Sequence, residues 1–140
     1  MKIKETYKTK EKIMNNSLTE EQVKVLNMSQ SVINEVRKVI IGKDEIIIKV
    51  LLSILAGGHI LIEDIPGVGK TTLAVALSKA LSLDYKRLQF TPDVLPTDVT
   101  GFTILNKETH KFEYKQGAAL TNLFLADEIN RTSSKTQSAL

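Results

Sequence analysis

Ile60-Leu61-Ile62-Glu63-Asp64-Ile65-Pro66-Gly67-Val68-Gly69-Lys70-Thr71-Thr72 is the stretch whose reading decides the fold. The apolar run Ile60 to Ile62 predicts a buried strand. A turn carrying Pro66, Gly67 and Gly69 follows, and Lys70-Thr71-Thr72 opens a helical pattern. Strand, Gly-rich loop and helix in that order are the context a phosphate-binding loop requires. The glycines let backbone N–H groups curl around an anion without Cβ clashes. The new helix adds its uncapped N–H groups and the positive end of its dipole. Lys70 has the reach for β/γ-phosphates, and the Thr71 hydroxyl is placed to ligate Mg²⁺. The general pattern is G-x-x-x-x-G-K-[ST]. Asp64 stands at its first Gly, while Gly67-Val68-Gly69-Lys70-Thr71 is intact. The competing reading is a Gly-rich turn that binds nothing, and the conjunction of strand, loop and Lys-Thr weighs against it. Pro66 through Thr72 are therefore the candidate nucleotide-binding residues: Pro66, Gly67, Val68, Gly69, Lys70, Thr71 and Thr72.

Downstream, residues 71–82 continue as a helix with Leu73, Ala74, Leu77, Ala80 and Leu81 inward. Lys86 to Phe90 alternates and reads as a strand, with Leu88 and Phe90 on one face. Thr91 to Gly101, punctuated by Pro92, Pro96 and Gly101, reads as a structured loop. Residues 102–105 and 111–114 flank a turn over 106–110 and predict a hairpin. Leu123-Phe124-Leu125-Ala126 is a short apolar strand that delivers Asp127-Glu128 at its C-terminal end. Acids often decorate exposed strand ends, so this pair alone says little. Coupled to a phosphate loop it has a mechanical meaning. Asp127 can hold the Mg²⁺ shared with Thr71 and the phosphates, and Glu128 can polarise a water for in-line attack on the γ-phosphorus.

Upstream, Ser17-Leu18-Thr19-Glu20 has capping-box spacing, and Val25, Met28, Val32, Val36 and Val39-Ile40 form a helical stripe. Gly42 is expected to end that helix and Asp44 to cap the next. Residues 45–56 are apolar nearly all round, which predicts a buried helix. The net charge of +3 belongs to the first 17 residues, where five lysines face two glutamates. The remaining 14 basic and 14 acidic residues balance. Residues 1–17 read as a flexible basic tail ahead of a domain from 18 to 140. The body makes no electrostatic case for nucleic acid. With no cysteine, disulfides and thiolate metal sites are excluded. The N-terminus has no apolar h-region, and the Ile46 to Ile62 region is too broken to span a bilayer, so the expectation is a cytoplasmic protein without a membrane span.

Four segments together resemble the MoxR family of AAA+ ATPases. They are Ile40-Ile41-Gly42-Lys43-Asp44-Glu45, the loop from Glu63 to Thr71, the run from Gln89 to Gly101, and Leu125-Ala126-Asp127-Glu128-Ile129-Asn130-Arg131. The resemblance covers about Leu18 to Leu140. It departs at Gly117-Ala118-Ala119-Leu120, where many members carry Gly-Pro before apolar residues. It implies an α/β P-loop NTPase of AAA+ type, a parallel sheet flanked by helices. ATP and Mg²⁺ would be the cofactors. Ile40, Ile41 and Gly42 would line the adenine pocket, Asp127 would be the Walker B acid and Glu128 the catalytic base. The hairpin would be the insert of this clade that projects toward a pore or client. Family members form homo-oligomeric hexameric rings and act as chaperone-like remodellers, often with partners bearing von Willebrand factor A domains. The resemblance also implies that sensor 1, the arginine finger, sensor 2 and the helical lid lie beyond Leu140. The segment from residue 132 stops without a C-cap, as a domain cut short would. The sensor 1 strand belongs between the phosphate-loop strand and the Walker B strand, so a gap in the sheet is expected.

Other residues have blander readings. His59 and His110 lack ligand-spaced partners and read as structural or solvated. Asp93 and Asp98 flank prolines and read as caps of short turns, with a subunit or client contact as the alternative. Asn130 and Arg131 either orient Glu128, or reach a neighbouring subunit's nucleotide, or simply cap and cover. Two rival functions stay open. One is a nucleic-acid-dependent motor on the same core, supported only by the Lys-rich tail, and the other is a nucleotide-binding module without turnover.

Overall fold

The computed structural model describes residues 18–63 and 67–140. The basic tail, Ser17, and the loop residues Asp64, Ile65 and Pro66 therefore lie outside the described residues. The chain divides into two compact units, Met1–Glu63 and Asp64–Leu140.

In the first unit, helix α1 spans Glu20–Arg37 and helix α2 spans Asp44–Leu55. The cap of α1 is Thr19 rather than Ser17. Its hydroxyl accepts from the Gln22 N–H, and the Gln22 side chain accepts from the Thr19 N–H. A capping box needs a hydrogen-bonding side chain at its third helical position, and Gln22 supplies one as well as the expected Glu20 would. The helix ends at Arg37, before Val39 and Gly42. The buried stripe is Ile33 and Val36, continued by Ile40, while Val25 and Met28 are exposed. The two helices pack together through these residues and Ile47, Val50 and Leu51. Asp44 is not the cap of α2: Lys43 holds that position without a side-chain cap. Asp44 instead receives both arms of the Arg37 guanidinium, at 2.9 and 3.0 Å, because the tight connection brings the end of α1 beside the start of α2. The expectation of an all-round buried α2 is also corrected. Ile46, Ile48, Leu52 and Leu55 are exposed, since one neighbouring helix covers only one face.

The apolar run Ile60 to Ile62 forms no strand, and Leu61 is 77% exposed. A strand exists by pairing, and these residues find no ladder partner among the described residues.

The second unit carries the sheet. Helix α3 (Lys70–Ala80) buries Leu73 and Leu77 as expected. Strand β1 (Tyr85–Gln89) pairs in parallel with strand β4 (Leu123–Asp127), in a register that sets Tyr85 beside Leu123 and Gln89 beside Asp127. The Phe90 N–H extends the ladder to the Asp127 carbonyl at 2.8 Å. Phe90 itself is fully buried. The anticipated loop 91–101 contains a short helix, α4 (Pro96–Thr100). Proline at its first position and the Asp98 carboxylate, which accepts the Leu95 N–H at 2.8 Å, are what start it. The hairpin forms as read, from β2 (Gly101–Asn106) and β3 (Lys111–Gln116) in antiparallel register. A 3₁₀ turn (Ile129–Arg131) and helix α5 (Ser134–Gln137) close the chain, with buried Thr136 donating to the Val94 carbonyl at 2.9 Å. No helix among the described residues is long and apolar enough to cross a membrane.

Candidate nucleotide-binding site

Gly67 and Gly69 both adopt positive φ, +86° and +92°. Among the described residues, nothing lies within 4 Å of where a Cβ would stand on either. Only glycine takes this backbone at little cost, and the space a side chain would fill is open. Gly69 is also the N-cap of α3. Its carbonyl accepts the Leu73 N–H at 2.9 Å, and no side chain caps the helix. The first turn of α3 is therefore built from Lys70, Thr71 and Thr72 with no acid to quench its positive end. Val68, Lys70 and Thr71 are half-buried, and Thr72 is exposed.

Helix α3 packs against β4. β4 ends on Asp127, whose carboxylate is 23% exposed. Arg87, on the adjacent β1, donates to Asp127 Oδ2 from Nη2 at 2.6 Å and from Nε at 3.1 Å. No local signal marks this partner, because Arg87 reads as the solvent side of an alternating strand until the β1–β4 register is known. Glu128 is exposed and sits in the left-handed region, φ 57° and ψ 40°, where it starts the 3₁₀ turn and its carbonyl accepts the Arg131 N–H at 2.9 Å. For a glutamate this conformation costs about 1–2 kcal/mol, and it turns the chain sharply away from the strand as soon as Asp127 is delivered. Asn130 and Arg131 lie exposed in that turn.

A phosphate group and a hard cation fit this donor set. Among the described residues the cradle at Gly67 and Gly69 is open, a lysine and a threonine hydroxyl start the helix, and the oxygen ligands are a hydroxyl and a carboxylate, the types Mg²⁺ takes. Among the described residues there is no cluster of three His or acidic side chains that would form a separate metal centre. Ile40 is buried, Ile41 is 85% exposed and Gly42 has φ +75°. All three belong to the first unit, whereas Gly67 to Thr72 and Asp127 belong to the second. Pro66 lies outside the described residues. His59 is exposed, and His110 occupies a left-handed position in the hairpin turn.

The sequence profile described as the ATPase family associated with various cellular activities (AAA) matches residues 59–140. The chain is 55% identical over 108 residues to an uncharacterized protein, YeaC, of Bacillus subtilis, covering 77% of this chain and 34% of that one. It is 40% identical over 106 residues to the chaperone MoxR1 of Mycobacterium tuberculosis, covering 76% of this chain and 28% of that one. A crystal structure of a presumptive ATPase from Cytophaga hutchinsonii superposes with a TM-score of 0.70 at 46% identity, over 81% of this chain and 34% of that one. This chain belongs to the AAA ATPases, in their MoxR branch. It spans about a third of the length of the relatives it matches.

Proposed function

We propose that the full-length protein binds ATP with Mg²⁺ on the loop and helix from Pro66 to Thr72 and hydrolyses it to ADP and phosphate. One observation carries the reading. A helix opened by two positive-φ glycines, with no described residue at their Cβ positions, packs against a strand that ends on Asp127, with Glu128 next in the chain.

The backbone amides after Gly67 and the Lys70 ammonium hold the phosphate oxygens, so the γ-phosphoryl group is fixed before reaction. Thr71 and Asp127 are the residues that hold the cation. When bound, Mg²⁺ neutralises charge on the β- and γ-phosphates. Glu128 accepts a proton from the attacking water. Ile40, Ile41 and Gly42 contribute the adenine contacts.

The chaperone name carried by the Mycobacterium tuberculosis relative supports a use for the energy. The protein works in the cytoplasm as a homo-oligomer, a hexameric ring that remodels a protein client, with partners bearing von Willebrand factor A domains. Substitution tests the chemistry in the full-length protein. Lys70→Ala is expected to abolish ATP binding by calorimetry. Glu128→Gln is expected to keep binding and to lower hydrolysis roughly 10²–10⁴-fold, the usual contribution of a positioned general base. Unchanged hydrolysis in Glu128→Gln would remove that residue from the role.

A further inference from the structure

We propose that Arg87 is a positioning residue that stands in for the divalent cation at Asp127 and yields the carboxylate when the metal-bound nucleotide arrives. The inference rests on the nucleotide reading above and deepens it.

The register sets Arg87 beside Leu125, two residues short of Asp127. Residues two apart along a strand share a face, so Arg87, Gln89 and Asp127 project from the same side of the β1–β4 pair. Only a long side chain can cross that diagonal, and Arg87 does so with two N–H groups converging on one oxygen, Oδ2. The carboxylate is only 23% exposed. A largely desolvated anion is costly, and the guanidinium compensates it.

The Arg87 side chain, at 42% exposed, remains wet. Ion pairs of this exposure are weak and screened by salt. A dication in the same place carries twice the charge and repels the guanidinium it displaces. The pair is thus strong enough to set the carboxylate's direction and weak enough to exchange. A purely structural brace between β1 and β4 would leave cation affinity untouched.

The experiment is a Mn²⁺ titration in the presence of ADP, followed by electron paramagnetic resonance, on the full-length protein. Arg87→Gln is expected to tighten Mn²⁺ binding by roughly two- to fivefold, the fold-change corresponding to an exposed ion pair. The same substitution in an Asp127→Asn background is expected to change nothing, because the partner is gone. Arg87→Lys keeps the charge and loses the fork, so it should give a smaller increase in the same direction, and it decides the matter if the glutamine variant does not fold. Unchanged or weakened Mn²⁺ binding in the folded Arg87 variants overturns the inference, as does an increase that persists without Asp127. If the unsubstituted protein binds no Mn²⁺–ADP, the nucleotide reading falls and this inference with it. If binding is lost in Lys70→Ala yet indifferent to Arg87, this inference alone falls.

Discussion

Tyr85 opens β1 with its phenolic oxygen buried and no hydrogen-bond partner among the described residues. Burial raises its pKa above 10.0; the Arg87 charge pulls it back down, and Asp127 adds to the rise. The folded state therefore favours the protonated phenol. Its contribution to stability is complete below the unfolded pKa near 10 and is lost as the pH climbs toward the folded value. Tyr85→Phe removes a hydroxyl that is desolvated for no bond, and it is expected to stabilise the protein by about 1 kcal/mol. Chemical denaturation of the two forms in parallel measures this. The advantage of phenylalanine should widen above pH 10, and a constant difference across that range would contradict the assignment. Tyr85 reads in the sequence as an ordinary strand aromatic, because nothing local records which oxygen lacks a partner. Glu128 is different. Its place after an apolar run was legible, but its left-handed backbone was not, since such a conformation is imposed by the turn that leaves β4.

At the scale of elements, the hairpin β2–β3 is held at its base by two glycines that touch. A Cβ on Gly117 would collide with the Val99 carbonyl and the Gly101 backbone, and one on Gly101 would strike the Lys115 carbonyl. Around them the Tyr114 hydroxyl donates to the Thr100 carbonyl, and Ala118 and Ala119 donate to the Asp98 and Val99 carbonyls at 2.8 and 3.0 Å. The hairpin is thereby fastened to α4 at both of its ends. Gly117→Ala is expected to destabilise the protein by about 2 kcal/mol or more, the scale of overpacking against a backbone that cannot give. A thermal midpoint within 1 °C of the unsubstituted protein would show that the base can relax. The hairpin's existence was plain from two alternating runs around a turn. Its fastening was hidden, because Gly101 and Gly117 are distant in sequence and only the folded register brings them together. The same limit explains Ser17 and Asp44. Several residues at a helix start qualify as caps, and the competing partners Gln22 and Arg37 decided between them.

For the molecule as a whole, the unpaired Ile60 to Glu63 segment governs what the 140 residues can do alone. The loop's upstream anchor is a strand only when another strand lies beside it, and here that pairing is missing among the described residues. Residues 1–140 by themselves are expected to bind ATP weakly and to turn it over negligibly, measured as phosphate release against the full-length protein. Equal turnover would show that the loop needs no such anchor. The exposed apolar side chains of α2, among them Leu52 and Leu55, mark a face that its neighbouring helix leaves uncovered.

What the amino-acid order determined by itself was whatever is local. The Gly-Val-Gly-Lys-Thr loop, the helix it opens, the hairpin and the apolar strand ending in two acids are each written in a few consecutive residues, through backbone freedom and hydrophobic period. Tertiary structure decided everything that depends on a neighbour: that Ile60 to Ile62 stays unpaired, that β1 lies parallel to β4, and that Arg87 reaches Asp127 across them. The physical reason is that pairing energies belong to two segments at once, and no single segment carries them.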